Sequence, residues 1–247
     1  MESNQQTTIT LHANKEHSGV RLVVIFVLAA AFFATYIGLN GIVRDLESAI
    51  SEFAFILSCS FALLVSLGLA AITERYLKLN WPSGQRVELS ESGAVVYLKE
   101  ARTNAIDWSD RFTVLRWYFA IKGYAVGGRE RRLPKNYFCL ALQLQQDDQR
   151  FVVNCYLSSS QVSPIIEGKG FLKISPAEYY KGGFVSRWIG STDRPKIPSS
   201  VLAGREGPYW IAERRRWTEG MELESDDFLA FLDLVEKKFI EWDDLGS

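Results

Sequence analysis

Two stretches near the N-terminus carry no charged residue: 22 residues at positions 22–43 and 20 residues at positions 53–72. At ~1.5 Å of rise per residue, helices over them reach ~33 and ~30 Å, each enough for a ~30 Å hydrocarbon core. A soluble helix of that length keeps a polar stripe toward water, and neither run has one. The pattern therefore predicts two membrane spans joined by residues 44–52. A cleaved signal peptide is rejected for the first span. Its apolar core would be ~7–15 residues behind a short basic start, whereas here a 21-residue polar leader comes first.

Beyond Thr73 the apolar period changes to two. Residues 86–98 form two alternating runs around Glu91, Ser92 and Gly93, a hairpin signal. Residues 105–109 and 112–121 predict further strands. Residues 137–145 alternate with Phe138, Leu140, Leu142 and Leu144 on one face. A turn follows at 146–149, and 151–157 return. Residues 158–167, with Ser158 as cap and Pro164 in an early turn, predict a short helix. Strands joined by short turns imply an antiparallel sheet closed by that helix. Residues 169–216, rich in Gly, Pro and aromatics, read as irregular with short ordered pieces. Residues 224–242 then predict an amphipathic helix capped by Ser225, with Asp226 and Asp227 in its first turn. Phe228, Phe231, Leu232, Val235, Phe239 and Trp242 form its apolar face.

This order resembles the bacterial PH-like domain membrane proteins of the YcxB type, in which two membrane spans precede a small β-barrel of pleckstrin-homology shape. The residues that carry the resemblance are Val87-Glu-Leu-Ser-Glu-Ser-Gly, the Ile106-Asp107-Trp108 step, the hairpin from Leu140 to Val153, and Leu157-Ser-Ser-Ser-Gln before a helix. It covers residues 22–167, roughly 60% of the chain. The basic insertion at 119–135 and the segment after Gly168 depart from it. The resemblance implies a membrane-bound module without an established reaction, and it lends no catalytic residue. The expected architecture is thus an α+β membrane protein. A polar leader (1–21) precedes a transmembrane hairpin (22–72, spans 22–43 and 53–72). An antiparallel PH-like β domain (73–168) follows, and then an extension (169–247) ending in the amphipathic helix.

Charge sets the expected orientation. Lys15, Arg21, Arg75, Lys78 and Arg86 flank the outer ends of the spans, against Arg44 alone in the connecting loop. The positive-inside rule then places both termini in the cytoplasm and the chain in the inner (plasma) membrane, multi-pass. No Asp, Glu, Lys, Arg or His lies within either span, which disfavours an ion or proton pathway.

The net charge of −1 hides a segregation. Residues 111–135 hold seven basic side chains against Glu130 alone. Residues 169–216 hold ten against four acids, and residues 217–247 hold two against ten. Trp117, Tyr118, Phe119 and Tyr124 interleave with the first block; Trp210 and Trp217 flank the second. Arg129, Arg131 and Arg132, and also Arg214, Arg215 and Arg216, are therefore candidate positions for binding anionic headgroups or an acidic partner. The competing expectation is that the basic and acidic segments neutralise one another within the domain, with Asp226, Asp227, Asp233 or Glu236 of the C-terminal helix as partners of Arg129, Arg131 and Arg132. A near-neutral total and a membrane tether disfavour nucleic acid.

Candidate chemistry is sparse. His12 and His17 lie in the polar leader, away from every predicted element, and no zinc site can be assembled from them. Cys139 and Cys155, on strands that meet at a turn, read as reduced core thiols. Asp147 and Asp148 read as solvated turn residues. Glycines at 123–128 and 168–170 lack the setting of a phosphate loop, and no nucleophile elbow occurs. No catalytic residue, cofactor or metal is expected. The expected function is a membrane-anchored, non-catalytic interaction module that binds a lipid headgroup or a protein partner. The alternatives are an accessory subunit of a larger membrane complex and, more weakly, an enzyme on lipid or envelope precursors.

Overall fold

The computed structural model describes residues 8–15, 17–45, 52–122, 133–134, 136–179 and 197–245. The chain divides into two compact units: residues 15–83, and residues 1–14 together with 84–247.

The 15–83 unit is a helical hairpin of α1 (Ser18–Arg44) and α2 (Ala54–Asn80), both long and apolar enough to cross a membrane. Ala54, Ser58, Ala62, Ser66 and Ala70, spaced every fourth residue, form the buried stripe of α2. Small side chains on that stripe let the two backbones approach closely. Large residues such as Ile25, Phe26, Phe33, Ile37, Leu64 and Ile72 face outward and stay exposed. α2 continues past the apolar run to Asn80, where Lys78 pairs with Glu74 at 2.8 Å. His17 and Trp81 meet edge to face, and His17 Nε2 lies 3.0 Å from the Trp81 carbonyl oxygen.

The other unit is built on two sheets. The first has the order β1-β2-β3-β4, all antiparallel: β1 (Ile9–His12), β2 (Gln85–Leu89), β3 (Gly93–Leu98) and β4 (Ala101–Asp107). The turn at 90–92 needs glycine next, because a Cβ on Gly93 would fall on the Ile106 carbonyl oxygen. The second sheet centres on the antiparallel strands β5 (Thr113–Ala120), β6 (Tyr137–Gln146) and β7 (Gln149–Ser158). Its edges are the two-residue parallel strands β8 (Leu172–Lys173), beside β5, and β9 (Met221–Glu222), beside β7. Four helices join it: α3 (Ser159–Gly168), α4 (Ser199–Leu202), α5 (Gly207–Glu219) and α6 (Ser225–Leu245).

Alternation along β6 and β7 covers both faces of the second sheet. Leu140, Leu142, Leu144, Phe151, Val153 and Cys155 point into one core, shared with Leu11, Val87, Leu89 and Ile106 from the first sheet and with Trp108 just after β4. Val162 of α3 and Phe228, Phe231, Leu232 and Val235 of α6 close that core. Cys139, Ala141, Val152 and Tyr156 point the other way, against Trp210 and Ala212 of α5. The inward face expected from the 140–153 hairpin is therefore observed, and the second face is buried as well. A strand buried on both sides reads as a continuous apolar run, which is the pattern of β7.

Two expectations are corrected. Residues 9–14 are not a free leader: they supply an edge strand, with Leu11 and Ala13 in the core. The segment after Gly168 is not a separate extension. Where described, it contributes β8, β9 and α5 and packs on both faces of the second sheet.

Candidate functional site

The candidate residues separate by what surrounds them. Arg129, Arg131 and Arg132 lie outside the described residues. Arg214, Arg215 and Arg216 sit on α5, which begins at Gly207 with Pro208 in its first turn, where a missing N–H costs nothing. Three consecutive helical positions point in three directions, and the arginines meet three fates.

Arg216 faces inward and is only 5% exposed. Its Nε and Nη2 donate to the two carboxylate oxygens of Glu213, each at 2.9 Å, a bidentate pair one turn apart. Glu213 is fully buried and also accepts from Trp117 Nε1 at 2.8 Å. The guanidinium lies 5.3 Å above the Phe119 ring, and its Nη1 donates to the Tyr156 hydroxyl at 3.4 Å. This cluster locks α5 to β5 and β7. It removes Arg216 from any surface role: a charge spent on a buried carboxylate is not presented to a partner.

Arg215 is half-buried, and its Nη1 donates at 3.0 Å to Oε1 of the buried Gln143. Burial and the nearby charge of Arg150 lower its pKa from the ordinary arginine value, with Glu219 opposing. Arg150, at the start of β7, and Arg214 are exposed. Tertiary folding thus brings Arg150 near Arg215 from 65 positions away, a neighbour that local charge counting did not single out.

The expected internal neutralisation is present in part. Arg116 Nη1 donates to Glu236 of α6 at 3.2 Å and to the Lys169 carbonyl at 2.9 Å. Lys169 Nζ reaches Glu236 at 2.7 Å and also pairs with Asp233. Desolvation opposes the charge on Lys169, but its bonds to Asp233 and Glu236 outweigh it and raise its pKa. At Arg116 desolvation dominates and lowers the pKa, with Glu236 opposing. Among the named acids, Asp233 and Glu236 supply these partners.

Two seams of side-chain amides join the sheets. At one, Gln146 Oε1 accepts the Asp107 N–H at 2.9 Å, its Nε2 donates to the Asp107 carbonyl at 2.9 Å, and Gln149 accepts from the Ala105 N–H at 3.3 Å. An open polar groove of about 360 Å³ lies there along β4, lined by Arg102, Thr103, Asn104 and Asp107. At the other seam, Asn14 takes a left-handed conformation (φ 54°). Its N–H donates to the Glu222 carbonyl at 2.7 Å, its Oδ1 accepts the Glu222 N–H at 3.0 Å, and its Nδ2 donates to Gln85.

The remaining candidates are accounted for. His12 pairs across from Arg86 in β1, so it lies in an element, whereas His17 belongs to the hairpin unit. Cys139 and Cys155 are buried in different core clusters on opposite faces of the sheet, which leaves no geometry for a bridge between them. Asp147 and Asp148 are exposed at the β6–β7 turn. Among the described residues, no group of three or more His, Cys, Asp or Glu is placed to hold a metal.

Fold and site together define the class: an α+β protein with two apolar helices able to cross a membrane and a two-sheet unit drawn from both of their flanks. Comparison with protein-family models, curated proteins and solved structures finds no match.

Proposed function

We propose that the chain is a membrane-anchored, non-catalytic interaction module, with a PH-like unit that binds a lipid headgroup or a protein partner at the inner membrane surface. The observation that carries this reading is the pairing of β1 with β2, one strand before the hairpin and one after it. If both helices span, that pairing demands that their outer ends lie on the same side, as the basic flanking residues also require. Two sheets seamed at both edges and covered by α3 and α6 support the PH-like reading of the unit. The exposed Arg150 and Arg214, with the half-buried Arg215 near Arg150, support an acidic partner.

Native mass spectrometry of the full chain released from anionic membranes tests this. R129A/R131A/R132A and R214A/R215A should each retain several-fold fewer anionic lipids or co-purifying chains than the wild type. R214A alone, at an exposed position, should leave the unfolding midpoint close to that of the wild type, because an exposed charge contributes ~0–1 kcal/mol. Equal retention by both variants overturns the recognition reading.

A further inference from the structure

We infer that residues 8–14 act as a strap that closes the soluble unit only after the hairpin has returned the chain to the side from which it left. The inference rests on the membrane-spanning reading of α1 and α2. β1 is four residues long and, among the described strands, pairs with β2 alone, in the register Ile9–Leu89, Thr10–Glu88, Leu11–Val87 and His12–Arg86. Four residues cannot fold alone, yet Leu11 (4% exposed) and Ala13 (1%) complete the core that Val87 and Leu89 line. Asn14 then fastens the end of the strap to both sheets, to Gln85 beside β2 and to Glu222 in β9. A left-handed φ of 54° is tolerated by Asn better than by most residues, and here its amide replaces the missing ladder bonds between the two sheets.

The physical consequence is a coincidence requirement. β2 and β9 are made after both helices and the strap before either, so the seam can form only when an even number of spans separates them. Until then β2 has an open edge and the core lacks one wall, a state exposed to proteolysis and to wrong pairing. Domain closure thereby reports completed insertion.

The test uses the full chain in membranes, with T10C/E88C in a C59A background. Directly opposed antiparallel residues lie ~4.5–5.5 Å apart at Cα, within disulfide reach. Oxidation should cross-link most of the chain and leave the 84–247 region protease-resistant. Placing one additional uncharged span of about 20 residues after Asp45 puts the strap on the opposite side. It should abolish both the cross-link and the resistance. Resistance retained without the cross-link would overturn the strap while leaving the spans intact. A cross-link retained in the extra-span chain would instead overturn the membrane reading itself. In the original topology N14A should accelerate hydrogen exchange at the Glu222 amide about tenfold, since one side-chain acceptor is lost. Unchanged exchange there would remove Asn14 as the fastener.

Discussion

At the scale of single residues, the decisive group is Glu213. Its carboxylate is the shared acceptor for Trp117 and Arg216, and all three side chains are buried, so losing it leaves their donors without a replacement. Breaking a buried pair from one side leaves an uncompensated charge and typically costs ~3–5 kcal/mol. E213Q should therefore lower the unfolding free energy of the solubilised chain by about that amount in denaturant titration. E213L/R216M removes both charges and should recover most of the loss, leaving ~1–3 kcal/mol for the indole N–H of Trp117. A double variant no better than E213Q would show that the charge pair is not what the cluster depends on. Neither partner could be assigned from the chain alone. Arg216 reads there as the third member of a basic run, and only the inward direction of its helical position separates it from Arg214.

At the scale of elements, legibility follows how each segment satisfies its own pattern. The β2–β3 hairpin, the β6–β7 pair and α3 appear where alternation and turn residues predict them, and Gln161 Oε1 accepts the N–H of the capping Ser158 at 3.1 Å. α6 appears because Phe228, Phe231, Leu232 and Val235 bury one stripe. α5 is hidden because two of its inward positions, Glu213 and Arg216, are charged and erase the apolar period. β1 is hidden because four residues give no period to read. In the hairpin, the every-fourth-residue stripe makes a prediction of its own. A62L forces a larger side chain into a fully buried contact and should destabilise the α1–α2 pairing by ~1–3 kcal/mol, measured as reduced folding in mixed micelles. S58A should be neutral or slightly stabilising, because the buried Ser58 hydroxyl makes no hydrogen bond. The reverse order would mean that polar bonds, rather than close packing, hold the helices together.

At the scale of the whole molecule, the hairpin is an insertion into the two-sheet unit. Ala13 N–H donates to the Gln85 carbonyl at 3.0 Å, so the two points at which residues 15–83 leave and rejoin that unit are adjacent. Replacing 15–83 by a short glycine-rich turn should therefore yield a folded, soluble protein with a cooperative melt. Residues 84–247 alone lack Leu11, Ala13 and the Asn14 seam, and should melt earlier and aggregate. Equal stability of the two chains would show that β1 is dispensable. The comparison also explains why a division into leader, hairpin, domain and extension differs from the folded units: chain order and spatial order diverge wherever distant segments share one core.

What the sequence determined by itself is what depends on local chemistry: two uncharged runs of spanning length, the strands whose side chains alternate, the caps and turns, and the amphipathic C-terminal helix. Each is written within one continuous stretch of the chain, and each is found in the fold with its ends shifted by a few residues. Tertiary structure alone decided what depends on partners far along the chain. It brought β1 to β2 across the hairpin and Asn14 to Glu222 across 208 positions. It set Arg150 beside Arg215, turned Arg216 onto Glu213 under Trp117, and gave Asp233 and Glu236 to Lys169. The physical reason is that a charge or an edge strand carries no local mark of what will neutralise or pair with it. Burial fixes that choice, because in a low-dielectric interior a polar group left without a partner is costly.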